Sequence, residues 1–497
     1  MLIKLKLIVL LPLLVVLAGI GLFLNWQGIE IAKAQVAPKT IWCNPANTGA
    51  EDGLTKATGY KTIYTASTKM APGDILIVAN GDWSTYSGMS IDNSDGGSRL
   101  APSGIDVNHL TTIKAETDWG VKLNRLSDQG TGRNYMMIRG IVFMNGGGLY
   151  KWNYSKIVRC GFFMPKVTGN QSTFSIGWGA HDNLIEECVA WGGGRYKFMD
   201  YQGNHNIFRR CVARHDWYIS PEWAGQETNF RGYGTHDDIW QNDISIDSDR
   251  KEYTEVVGGA VENADFWVGD QYGANGNIID GCMAIKGMYN AYYFAGTDSG
   301  NDIITLKNSI ALGPSLEGVA SLTGALTCGT PQITAENSLF YNFKIGQQTF
   351  TTHNKGVGSL SIKNSIVRDT GPKAYGTDDY MYYFNVASGT FGSHSVNADP
   401  FISGLKYPVR VEAGSPLATA GSDGEPIGPT ILKKIGVSGT SYGEPGWDQV
   451  TDENLWPFPN ENKIKELMST TVEGVPGIYG FTAYQSPFGS PNTLTSY

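Results

Sequence analysis

Asn183-Leu-Ile-Glu-Glu-Cys188-Val-Ala-Trp191 is followed by Asn206-Ile-Phe-Arg-Arg-Cys211-Val-Ala-Arg214, and the two stretches share one pattern. Each reads as a short strand, a small residue at a bend, and a second short strand. Upstream stands Ser155-Lys-Ile-Val-Arg-Cys160-Gly-Phe-Phe. Downstream the same phrase recurs around Asp243, Cys282, Ser309, Ser338 and Ser365. Aligned on these positions, the spacings are 28, 23, 32, 39, 27, 29 and 27. A coil of three short strands and three bends falls within the roughly 20–50-residue range of solenoid repeats. Parallel strands joined by helical crossovers would need an amphipathic helix in each repeat. No such pattern occurs between residues 134 and 370. The reading is an all-β chain, a right-handed parallel β-helix.

The aligned positions carry chemistry of their own. Equivalent residues on neighbouring coils sit about 4.8 Å apart. A column of Cys, Asp and Ser at an internal bend therefore forms a ladder of small side chains, and a buried thiol packs as a small hydrophobe. Cys160, Cys188, Cys211 and Cys282 read as stacked thiols rather than as a disulfide framework. A second column lies five residues earlier, at Asn183, Asn206, Asp238 and Asn277. Asn and Asp suit bends because their side chains bond nearby backbone.

Together with Lys61-Thr-Ile-Tyr-Thr-Ala-Ser-Thr-Lys-Met-Ala-Pro72-Gly73-Asp74-Ile-Leu-Ile-Val and Ala398-Asp399-Pro400-Phe401, these repeats resemble the pectin-lyase-like superfamily of parallel β-helices. The first stretch resembles that superfamily's opening element, a short capping helix and a Pro-Gly-Asp turn before the first strand. The resemblance spans about residues 40 to 430. It implies the fold and leaves the activity open, because lyases, hydrolases, adhesins and structural proteins share it. The expected organisation is a signal peptide or membrane anchor at 1–34, an N-terminal cap and first coils at 35–110, the β-helix at 111–400, and an irregular C-terminal strap at 401–497. One helix is expected in the strap, from about Asn460 to Met468.

Lys4 and Lys6 precede an apolar run from Leu7 to Leu24, and Ala32-Lys33-Ala34 offers a cleavage site, so export is expected. Uncleaved, the same run is an anchor and the only expected membrane contact. The formal charge of −9 and the absence of a basic stripe argue against nucleic acid as a partner. An acidic polysaccharide would need a local basic patch against that background. A secreted or cell-surface monomer is expected.

Residues 170–270 depart most from regular repetition and hold candidate chemistry. The third strand of each coil should include Phe174–Gly179, Tyr196–Tyr201, Asn229–Gly234 and Val261–Trp267. Trp178, Tyr201 and Tyr233 fall on successive coils, either as buried core or as an exposed platform for sugar rings. Arg195 shares their segment, and Trp223 sits in a loop that would overhang the groove. In lyases of this resemblance an acidic sugar's carboxylate is neutralised, a base removes the neighbouring proton, and the leaving oxygen is protonated. Lys197 is the first candidate base, His215 the second, with Arg231 and Arg209 as neutralisers. A glycoside hydrolase would need paired carboxylates, for which Asp237-Asp238 is the candidate. The catalytic motifs of the pectate lyases and polygalacturonases do not occur. Calcium is a candidate cofactor through Asp237, Glu262 and Asp265, since hard oxygen ligands suit it. Three readings stay open: a polysaccharide lyase, a non-catalytic glycan-binding or structural β-helix, and a hydrolase.

Overall fold

The computed structural model describes residues 37–469 apart from 93–100, 129, 166–168, 215, 217–227, 247–263, 270–271, 286–289, 297–301, 314–325, 329–330, 342–349, 353–358, 372–375 and 401–406. The expected signal segment, His215, Trp223 and Glu262 lie outside these residues. Among those described, no helix is long and apolar enough to cross a membrane.

The chain winds as a right-handed parallel β-helix with three faces. Sheet 1 runs from Thr40–Cys43 through Leu184–Glu186 to Thr377–Asp379. Sheet 2 runs from Gly81–Asp82 through Val189–Gly192 to Val396–Asn397, and sheet 3 from Ile91–Asp92 through Tyr196–Tyr201 to Phe350–Thr352. The opening differs from expectation in one respect. The first strand of sheet 1, Thr40–Cys43, precedes the capping helix Ile63–Ser67 instead of following it. The Pro72-Gly73-Asp74 turn does lead into the next strand, with Asp74 accepting from the Ala71 N–H at 2.7 Å.

Side chains alternate across each strand, so one set fills the interior. Phe198, Phe230, Phe266 and Tyr292 are in register on sheet 3 and stack inward at centroid separations of 5.4, 4.8 and 5.3 Å. The two polar columns form the ladders that the repeat implies. The N–H groups of Ser155, Asn183, Asn206 and Asp238 each donate to the Asn or Asp side chain on the next coil, at 3.0, 3.0, 2.9 and 3.0 Å. In the cysteine column, Cys160 N–H reaches Cys188 Sγ at 3.4 Å and Cys211 N–H reaches Asp243 Oδ1 at 2.6 Å. Cys282 N–H reaches Ser309 Oγ at 3.2 Å. Cys160, Cys188, Cys211 and Cys282 are free thiols, all buried. A thiol reagent is expected to leave all four unlabelled until the protein is denatured; labelling of the folded protein would contradict the ladder.

Two carboxyls, Asp238 and Asp243, are sealed in these ladders, and a third, Asp200, is buried beside them against Asn206. Burial pushes Asp200 up to about 6 and holds Asp238 and Asp243 well above the usual carboxylate range, with Asp200 raising Asp238 further. Such a group costs nothing below its unfolded pKa of about 4. Above that value its deprotonation favours the unfolded chain, so stability falls as pH rises towards the folded pKa. Unfolding free energy is therefore expected to decline from about pH 4 to beyond pH 6, and Asp243→Asn to flatten the slope. Urea titrations across that window read both; a rise in stability through it would refute the assignment.

The residue just before the cysteine column adopts a left-handed conformation in coil after coil, including Arg159, Glu187, Arg210, Asn242, Asn308, Asn337 and Asn364. Asn tolerates this region, whereas Arg and Glu pay about 1–2 kcal/mol each. The C-terminal strap explains their presence. It runs back along this bend, with Ser422 N–H bonded to Asn364, Pro426 O to Asn337, Thr430 to Asn308 and Ile435 N–H to Asn242. Leu455, Trp456, Phe458 and Ile464 cover the outer apolar face of sheet 2, which carries Val189, Val212, Ile244 and Met283. The strap thus reaches beyond the last coils to the middle of the β-helix. Its helix spans Glu461–Leu467, close to the expected limits.

Candidate functional site

Sheet 3 turns a cleft of about 730 Å³ to the surface, bounded by described residues from Arg125 to Tyr233. Its strands Phe174–Gly177, Tyr196–Tyr201, Thr228–Tyr233 and Ala264–Val268 match the expected third strands. The floor is the outward column Gly148, Ser175, Met199, which pairs in register. A Cβ on Gly148 would stand 3.2 Å from Ser175 Oγ, so glycine and serine set the depth there.

One wall is an aromatic rail at the ends of the strands. Tyr201 and Tyr233 stack at 5.1 Å and 23°, and Trp178 leans on Tyr201 at 4.9 Å. Tyr150 extends the rail to the other side of Trp178, at 5.9 Å. Gly177 occupies the tyrosine column between Tyr150 and Tyr201, where a Cβ would lie 2.7 Å from the Tyr201 carbonyl oxygen. Trp178, left-handed at φ 58°, swings into the space so vacated. The rail therefore faces outward and is not core. The tyrosine faces cover one another, while Trp178 is 53% exposed and presents ring surface to solvent.

The opposite wall carries Arg195. Its guanidinium donates to Asn170 Oδ1 at 3.0 Å and lies 4.7 Å over the Tyr196 ring. Lys197 is fully buried, and its ammonium donates to the carbonyls of Gly193 and Gly194 at 3.3 and 2.8 Å. It holds the glycine turn that precedes Arg195 and is not among the described residues lining the cleft.

Two other expected site residues also move. Arg231 is 1% exposed, donates to the carbonyls of Gly232, Trp267 and Gly269, and lies 3.9 Å over the Trp267 ring and 4.5 Å over that of Tyr233. It backs the rail from behind and does not line the cleft. Arg209 lies on sheet 1, bonded to Gln241 and to the strap carbonyls of Val437 and Trp447, so it is a docking residue.

The acid candidates separate as well. Asp238 is a buried ladder rung, while Asp237 stands on the outer bend, so the adjacent pair is split between interior and surface. Asp265 is buried against Ser245. The described residues bring no three His, Cys, Asp or Glu side chains together as metal ligands. The described lining of the cleft contains no carboxylate. Among the described residues, Asp237 and Asp265 are therefore not joined in a donor set for calcium at this cleft.

Arg125 is a lining residue that the repeat pattern did not mark. It stands one position before the strand Leu126–Asp128, in the early coils, where the column residues are not yet recognisable. With Arg195 it gives the described lining two cations and no anion, in a chain of formal charge −9.

No family model matches the chain, and no curated protein does either. Among solved structures the chain is similar to a pectate lyase, Pel9A, at 14% identity and TM-score 0.42, over 84% of this chain and 97% of that one. It is also similar to an alginate lyase from a Paenibacillus strain, at 14% identity and TM-score 0.38, over 65% and 97% of the two chains. The catalytic domain of an alpha-1,3-glucanase matches at 12% identity and TM-score 0.37, over 73% and 68%.

Proposed function

We propose that this protein is an exported, polysaccharide-active β-helix whose sheet 3 cleft takes an acidic glycan and cleaves it by β-elimination. One observation carries the reading: the charged side chains of the described lining are arginines alone, beside an exposed aromatic rail. A guanidinium matches a carboxylate through paired hydrogen bonds. Against the uronate carboxylate, Arg195 offsets the charge that otherwise disfavours removing the neighbouring proton. That proton leaves to a base, its electron pair forms the new ring double bond, and the glycosidic oxygen departs with a proton. Tyr150, Tyr201 and Tyr233 are the groups of the rail able to take a proton, as the phenolate, or to give one.

Glycan binding without cleavage is the second reading. It is favoured by the absence of Lys, His, Asp and Glu from the described lining. The purified chain, offered acidic and neutral polysaccharides with and without calcium, separates the two. Growth of unsaturated-uronate absorbance, indifferent to chelator, is expected. Binding of acidic glycans with neither absorbance nor new reducing ends would establish the second reading. Trp178→Ala is expected to weaken binding about tenfold in either case, the loss of one well-placed ring contact of about 1.4 kcal/mol. Unchanged affinity in a calorimetric titration would remove the rail from the site.

A further inference from the structure

The floor of the cleft follows one outward column of sheet 3, and that column changes character along the axis. It reads Gly148, Ser175, Met199, then Arg231, Trp267, Tyr293, all in register. The first three line the cleft. The last three are large and buried, at 1, 4 and 4% exposure. Arg231 is fixed by three carbonyls and by the Trp267 ring at 3.9 Å, and Trp267 meets Tyr293 edge to face at 4.9 Å. Such a stack holds its place because moving the guanidinium would leave a buried charge without its carbonyl acceptors. Where a through-groove would continue, the structure has packed side chains.

We infer that the cleft is blind at the Arg231–Trp267–Tyr293 end, so that a glycan is held by one of its chain termini and not along its middle. This rests on the reading of the cleft as an acidic-glycan site. The terminal sugar sits against Tyr233 and Met199, and the chain runs back over Ser175 and Gly148 towards Arg125. Arg125 lies three strands from the Arg195 strand, about 14 Å at the strand spacing, so it meets a sugar further along the same chain. Cleavage from this seat releases short fragments from one end and leaves the polymer's length nearly intact early in the reaction.

Binding of short oligouronates from pectate and from alginate to the wild-type chain tests this directly. Each oligomer is offered untagged, with a bulky fluorophore on its reducing end, and with a bulky group on its non-reducing end. One tag is expected to weaken binding by about tenfold or more and the other to be tolerated. Tolerance of both tags overturns the blind end while leaving the acidic-glycan site standing, as does rejection of both. Failure of every untagged acidic oligomer to bind overturns the site itself, and the blind end with it. Because the comparison uses the unaltered protein, it is independent of whether a plug variant folds.

Discussion

Arg195→Ala lowers affinity for acidic oligosaccharides by about 30- to 1,000-fold, the 2–4 kcal/mol expected when a largely buried, hydrogen-bonded charge loses its side chain. Arg195 is 5% exposed, and its contacts include the amide oxygen of Asn170 and the ring of Tyr196. A ligand carboxylate would meet a guanidinium already held in place and largely removed from water. The salt dependence of binding should shrink with the substitution, since one screened attraction has been removed. Arg195→Lys should restore only part of the loss, because an ammonium cannot make the paired contact of a guanidinium. Calorimetry of the two variants at low and high salt reads all of this. Full affinity in Arg195→Ala would show that anions are recognised elsewhere. The thermal midpoint should move little, because Lys197 continues to hold the Gly193–Gly194 turn from inside.

The fold was legible because its evidence is periodic. A ladder must place the same small side chain at the same bend in every coil, so Cys188, Cys211 and Ser309 announce themselves without alignment to any other protein. Asn183 and Asn206 do the same. The aromatic rail was half legible: Trp178, Tyr201 and Tyr233 fall on successive coils, but their spacings do not show that Gly177 yields its place to Trp178. Polarity misled for the arginines and the lysine. A strand residue with a charged head normally faces water, yet Lys197, Arg209 and Arg231 each bond main-chain carbonyls in the interior or under the strap. That depends on chain segments far away in sequence, such as Val437 for Arg209. Arg125 shows the converse, since it lies in a coil whose columns are too irregular to give it a register.

Glu186→Gln should loosen the strap and cost the protein about 3–5 kcal/mol of stability, the range for removing one partner of a buried ion pair. Glu186 is 3% exposed and faces two fully buried guanidiniums, those of Arg209 and Arg210, while its other oxygen accepts from the Gly439 N–H at 2.9 Å. Burial already pulls Arg209 down to about 10, and the charge of Glu186 is the chief influence holding it up. With a neutral amide in its place, Arg210 is left with the longer pair to Glu187, at 3.6 Å, and both cations otherwise with neutral oxygens such as those of Gln241, Val437, Trp447 and Ile435. They also repel each other. The cheapest relief is to admit water, and water enters where the strap lies. Proteolytic nicking between residues 435 and 449 should therefore quicken, and an apolar dye should find the exposed face of sheet 2. Far-ultraviolet dichroism should remain that of the β-helix, because the ladders and the aromatic stacks lie on the other side of the sheet. An unchanged nicking rate would mean that the asparagine contacts from Asn242 to Asn364 hold the strap without the ion cluster. The left-handed strain at Glu187 and Arg210 would then have no compensating role in docking.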